Sequence, residues 1–171
     1  MSVCFSFAPV VDARTQVLIL GSMPGRRSLQ QNQYYAHPRN LFWHFMFALY
    51  EVDYSIAYAA RLALLAQHQI GLWDVYSHCE RAGSLDQHIN RKRSDFNDFV
   101  TLFNHYPSIN RVAFNGAEAS RAFKRYVKLN PEIKKFLVSK TLLDLPSTSP
   151  ANAGQSKSFK YEQWQATKVL G

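Results

Sequence analysis

The sequence predicts an α/β protein: a three-layer αβα sandwich around a four-stranded, mostly parallel central sheet. Three observations carry this expectation. Four short apolar runs recur along the chain, at residues 16–20 (QVLIL), 70–76 (IGLWDVY), 111–114 (RVAF) and 140–145 (KTLLDL). Segments with helical apolar spacing separate them, and strands that alternate with helices build parallel sheets covered on both faces. The first run, ended by Gly21, lacks the in-out alternation of a strand with one wet face, as expected for a strand buried on both sides.

Taken in order, the strand at 16–20 opens a long loop over 21–39, rich in turn formers, Gln, Asn and Tyr. A loop of that length between strand and helix invites function. Asn40 then stands as the N-cap of a helix over 41–50 (LFWHFMFALY), with Phe42 and Trp43 on its buried face. A second helix is expected over 55–69, ahead of the strand at 70–76. Residues 80–95 are the most charged stretch and read as a surface excursion. Further helices are expected over 96–106, ending near Pro107, over 116–127 and over 159–170. Ligands of such sheets sit beyond the carboxyl ends of the strands. That directs attention to the segments from Gly21, at Asn115 and from Pro146.

The chain has 171 residues, 47% of them hydrophobic and 19% charged, which suits one globular domain. Twenty Lys and Arg against twelve Asp and Glu give a formal net charge of +8, which draws a protein to polyanions and makes nucleic acid the leading partner. Cys4 and Cys79 have no CxxC or Cys/His spacing, so neither a structural zinc site nor an iron–sulfur cluster is expected. A reducing, cytoplasmic setting fits them. The first ten residues lack a basic leader region and no run approaches eighteen apolar residues, so neither a signal peptide nor a membrane span is expected.

Three loop motifs remain. GSMPG at 21–25 places two glycines around a proline directly after the first strand, a turn whose backbone can approach a ligand closely. No Gly-Lys-Ser/Thr follows, and the dinucleotide GxGxxG pattern is absent. YYAHPRNLFW occupies 34–43, and LPSTSPAN occupies 145–152 after the fourth strand. Together these strings resemble the hypoxanthine-DNA (deoxyinosine) glycosylases of the uracil-DNA glycosylase superfamily, near its mismatch-specific uracil/thymine branch.

The resemblance implies a uracil-DNA glycosylase-like fold and a monofunctional DNA-repair hydrolase. Such an enzyme flips a deaminated base from damaged DNA and cleaves its N-glycosidic bond, with no cofactor, metal or Schiff-base lysine. Hypoxanthine is the implied base, with uracil or a G-mismatched pyrimidine as the enzymatic alternative. A nucleic-acid-binding module that has lost its chemistry is the alternative of another class. Tyr35 matches the aromatic residue that stacks on the flipped base; an extruded base needs a π-face, and stacking contributes about 1–3 kcal/mol. By itself, Tyr35 reads more readily as a core or loop-packing tyrosine.

Met23 falls in the base-binding turn, where related families carry Asp or Asn to position water. A thioether orients water poorly, so the resemblance moves the catalytic role to Asn40, whose other reading is a helix cap alone. Asn115 matches an amide that reads the base edge, since one amide offers both a donor and an acceptor; an ordinary Asn-Gly turn is the alternative. His37 and Arg39 are expected at DNA phosphates. In the last loop Ser147, Thr148 and Ser149 are expected to bond phosphates, Pro150 and Ala151 to form a wedge, and Asn152 to reach the widowed base. That loop lacks the histidine of the fastest uracil enzymes.

Overall fold

The computed structural model describes residues 2–54 and 56–169. Its strands are β1 (Ser2–Phe5), β2 (Val17–Gly21), β3 (Ile70–Asp74), β4 (Tyr76–Arg81), β5 (Ile89–Phe96), β6 (Arg111–Asn115) and β7 (Thr141–Leu145). Its helices are α1 (Arg26–Gln31), α2 (Phe42–Tyr50), α3 (Tyr58–Gln67), α4 (Phe99–His105), α5 (Ala117–Leu129), α6 (Lys134–Leu137) and α7 (Lys157–Trp164).

The four expected strands form one sheet in the order β3-β2-β6-β7, with each neighbouring pair parallel. Every residue of β2 and β3 is buried, as a strand covered on both faces requires. Alternate side chains of β2 and β6 feed two separate cores. Leu18, Leu20, Val112 and Phe114 join one cluster with Phe99, Phe103 and Phe123 from α4 and α5. Val17, Ile19 and Ala113 join the other with Phe42, Phe45, Leu65 and Trp164 from α2, α3 and α7. These are the three layers, and each large apolar side chain taken from water stabilises them by roughly 1.5–3 kcal/mol.

Register sets the site. Gly21 pairs with Asp74, Leu20 with Phe114, and Asn115 with Leu145. Asp74, Gly21, Asn115 and Leu145 therefore end their strands side by side at the carboxyl edge of the sheet.

A second sheet, antiparallel in the order β1-β4-β5, is where the structure departs most from the sequence reading. The charged stretch over 80–95 belongs largely to β4 and β5, whose ladder bonds run through backbone groups that side-chain polarity does not report. The run at 70–76 is two strands: β3 stops at Asp74, and Tyr76 starts β4 in the other sheet. The helix expected from residue 96 starts at Phe99, because Phe96 finishes β5 and Asp98 caps α4 by accepting the Thr101 N–H at 3.0 Å. The expected helix over 55–69 is α3, and residue 55 lies outside the described residues. The last helix starts earlier, where Ser156 caps α7, and passes into a 3₁₀ turn over Gln165–Thr167; residue 170 lies outside the described residues. No helix of the described residues is long and apolar enough to cross a membrane.

Candidate active site

Three loops meet over the carboxyl edge. The first leaves β2 through GSMPG, forms the unexpected short helix α1 and returns through YYAHPRN to α2. It is fixed at both ends. Ser22 Oγ donates to Asp86 at 2.6 Å, the Arg26 N–H donates to Ser84 Oγ at 2.9 Å, and the buried Arg81 guanidinium donates to the Pro24 carbonyl. Further along, the buried Trp43 indole N–H donates to the Tyr34 carbonyl at 2.9 Å. The side chain of Met23 is 6% exposed and packs in the α4/α5 core, whereas Tyr35 packs against the opposite one. That leaves Met23 only its backbone to offer at Tyr35's side of the sheet.

Tyr35 sits over the strand ends. Its ring stacks on Phe42 with centroids 4.0 Å apart, and its hydroxyl faces Asn115 and lies 3.6 Å from where a Cβ on Gly21 would stand. The same Cβ would come within 2.6 Å of Asp74 Oδ1, so only glycine fits at that point of the row. Tyr35 has φ of 55°, a left-handed backbone unusual for an aromatic residue.

Asn115 is engaged on both sides of its amide. Nδ2 donates to Thr148 Oγ1 at 2.9 Å, and Oδ1 accepts the Thr148 N–H at 2.9 Å. Thr148 is wholly buried, so the phosphate contact expected of it gives way to a structural role, that of fixing Asn115. Gly116, at φ of 95°, admits this closure, since a Cβ there would stand 2.9 Å from Ser147 Cβ.

The loop after β7 is held from beneath by α7. Lys160 donates to the Asn152 carbonyl, and the Trp164 indole donates to the Pro146 carbonyl at 2.9 Å. Ser147 Oγ accepts the Ser149 N–H at 3.2 Å, Ser149 Oγ accepts the Ala151 N–H at 3.3 Å, and Asn152 Nδ2 donates to the Ser147 carbonyl at 3.3 Å. Pro150 and Ala151 are exposed at its tip.

The first and last loops touch at Leu41, whose N–H donates to the Thr148 carbonyl at 3.0 Å. Beside it, Asn40 Oδ1 accepts the Phe42 N–H at 2.9 Å, capping α2 from two residues ahead. His37 Nδ1 accepts the Arg39 N–H at 3.1 Å, and Arg39 is exposed. Tyr35, Asn40 and Asn115, expected from the motifs, are thus gathered by contacts to one another or to Thr148 and Phe42.

Sequence reasoning missed a buried acidic group under the same edge. Asp74 is 3% exposed, and its Oδ2 has no hydrogen-bond partner among the described residues. Burial, then the neighbouring Asp86, raise its pKa to about 8 against the opposing pull of Arg81. At neutral pH the carboxyl is therefore mostly protonated. Its only sequence signal was the break that an acidic residue makes in the apolar run GLWDVY.

Comparison with known proteins converges on one family. The sequence model described as "Uracil DNA glycosylase superfamily" matches residues 8–170. A protein of Methanosarcina barkeri named "Hypoxanthine DNA glycosylase" is 35% identical over 90% of this chain and 96% of its own. A protein of the same name from Methanosarcina acetivorans is 35% identical over 94% of each chain. The solution structure of a candidate uracil DNA glycosylase from M. acetivorans superposes with a TM-score of 0.77, at 32% identity over 96% of both chains.

Proposed function

The chain belongs to the uracil DNA glycosylase superfamily and is a DNA glycosylase, and from that premise we propose that the base it removes is hypoxanthine, left in DNA by deamination of adenine. The observation that carries the reading is the convergence of Tyr35, Asn40 and Asn115 at one sheet edge. The two relatives named for hypoxanthine supply the base.

In this mechanism the flipped base lies on Tyr35, one face of whose ring is already covered by Phe42. Asn115, immobilised by Thr148, presents its remaining amide valences to the lactam edge of the base, and the Met23 backbone closes the near wall. Asn40 Oδ1 accepts the Phe42 N–H with one of its two lone pairs, and the other, with the amide nitrogen, is free to orient the attacking water. The C1′–N bond breaks towards an oxocarbenium-like sugar, water adds at C1′, and its proton leaves with the base. His37 and Arg39 on one side, and Ser147 and Ser149 on the other, bind phosphates. Pro150, Ala151 and Asn152 enter the gap in the stack. The reading includes a cofactor-free monomer in the cytoplasm.

The test is incision of oligonucleotides carrying inosine, uracil, xanthine or a G·T mismatch, with alkali to cut abasic sites. Inosine strands should be cut fastest. Preference for uracil or G·T would replace the substrate, and no cutting of any strand would leave only a binding module.

A further inference from the structure

Outside the pocket, the side of the molecule around α5 carries an unusual charge arrangement. Glu118, in the first turn of α5 and three residues after Asn115, is 4% exposed and receives three arginines. Arg91 of β5 grips it in a fork, Nη2 to Oε2 at 2.9 Å and Nε to Oε1 at 3.3 Å. Arg121 reaches Oε2 at 3.2 Å, and Arg125 reaches Oε1 at 3.1 Å. The Tyr76 hydroxyl of β4 donates to Oε1 at 2.9 Å. Burial would raise the pKa of Glu118, yet these hydrogen bonds hold it at about 2.

One carboxylate facing three guanidiniums leaves two positive charges in excess. Asp86, the other carboxyl facing Arg121, has Arg81 as a countercharge. Yet the arginine side chains are not used up, for those of Arg91 and Arg121 are 50% and 60% exposed. Each carries five N–H donors in a planar fork, of which the carboxylate takes two. Fixing the forks in advance removes much of the rotamer entropy that a long cation loses on binding. The cluster also connects to the first loop, because Asp86 bonds Ser22 of GSMPG.

We propose that Arg91 and Arg121, locked on Glu118, form a phosphate clamp that grips the DNA backbone from the α5 side of the sheet, across the edge from Tyr35 and the 147–152 loop. The proposal rests on the chain acting on DNA.

The test is duplex binding by Arg91→Gln and Arg121→Gln against the ionic strength. Each single variant leaves Glu118 two arginines, and thermal melts confirm the fold. Between about 50 and 200 mM salt each phosphate contact contributes about a threefold loss of affinity, so each variant should lose about threefold less than the parent. Arg91→Lys keeps the charge and should keep the parent slope. Arg14→Gln, at the amino end of β2 where Arg14 pairs with Asp12, should also leave it unchanged. Glutamine variants with the parent slope would overturn the clamp and leave the cluster a structural staple between β5 and α5. Incision by the parent, measured alongside, fails separately if the glycosylase reading is wrong, and the slope decides the clamp either way.

Discussion

Tyr35 holds a backbone conformation that a bulky residue adopts at a cost of about 1–3 kcal/mol. The ring stack on Phe42 offsets that cost and aims the ring over the strand ends. If the ring is the platform for the base, Tyr35→Ala should slow single-turnover excision of hypoxanthine roughly five- to a hundredfold, and Tyr35→Phe should stay within about threefold of the parent. Affinity for an abasic duplex, which has no base to stack, should be the same for all three. Equal impairment of Phe and Ala would transfer the role from the ring to the hydroxyl. The placement of Tyr35, Asn40 and Asn115 near one sheet edge was legible in the sequence, because the first two sit in a loop motif and the third ends an apolar strand. Asp74, Arg81 and Glu118 were not, because a charged letter looks the same whether it is solvated or sealed in a core. Thr148 was half legible: its loop was recognised, while its burial beneath Asn115 depends on β6 and β7 being neighbours.

At the scale of elements, the parallel sheet was readable from its apolar runs, and the antiparallel sheet was not. β5 carries Arg91, Lys92 and Arg93 in a strand with mostly exposed or half-buried residues, so hydropathy gives it no signature. The junction of the two sheets, where β3 passes into β4, buries Asp74 beside Asp86 and Arg81. Asp74 has its pKa raised from 3.8 to about 8, so the folded chain binds that proton more tightly than the unfolded chain does. The stability this group contributes is fully present below about pH 4 and is lost as pH rises through about 8. Asp74→Asn cannot ionise. Its melting temperature should therefore exceed the parent's by a margin that widens between about pH 5 and pH 9, at roughly 1.4 kcal/mol per unit of pKa shift before relaxation. Melting curves that stay parallel across that range would mean that Asp74 is charged and compensated.

For the molecule as a whole, the three layers serve to bring three loops to one edge, and the net charge of +8 draws the molecule to DNA. The fold and activity class follow from the family, whereas the mechanism proposed above gives the catalytic role to Asn40 in place of Met23. Asn40 also caps α2, and losing a cap costs about 1 kcal/mol, so its variant must be compared as folded protein. The decisive measurement is single-turnover release of hypoxanthine by the parent and by Asn40→Ala at saturating enzyme, with duplex affinity determined in parallel. A group that acts on the transition state should appear in the rate, so the variant should be at least about tenfold slower with nearly unchanged affinity. Full activity in folded Asn40→Ala, or a loss confined to binding, would contradict the account.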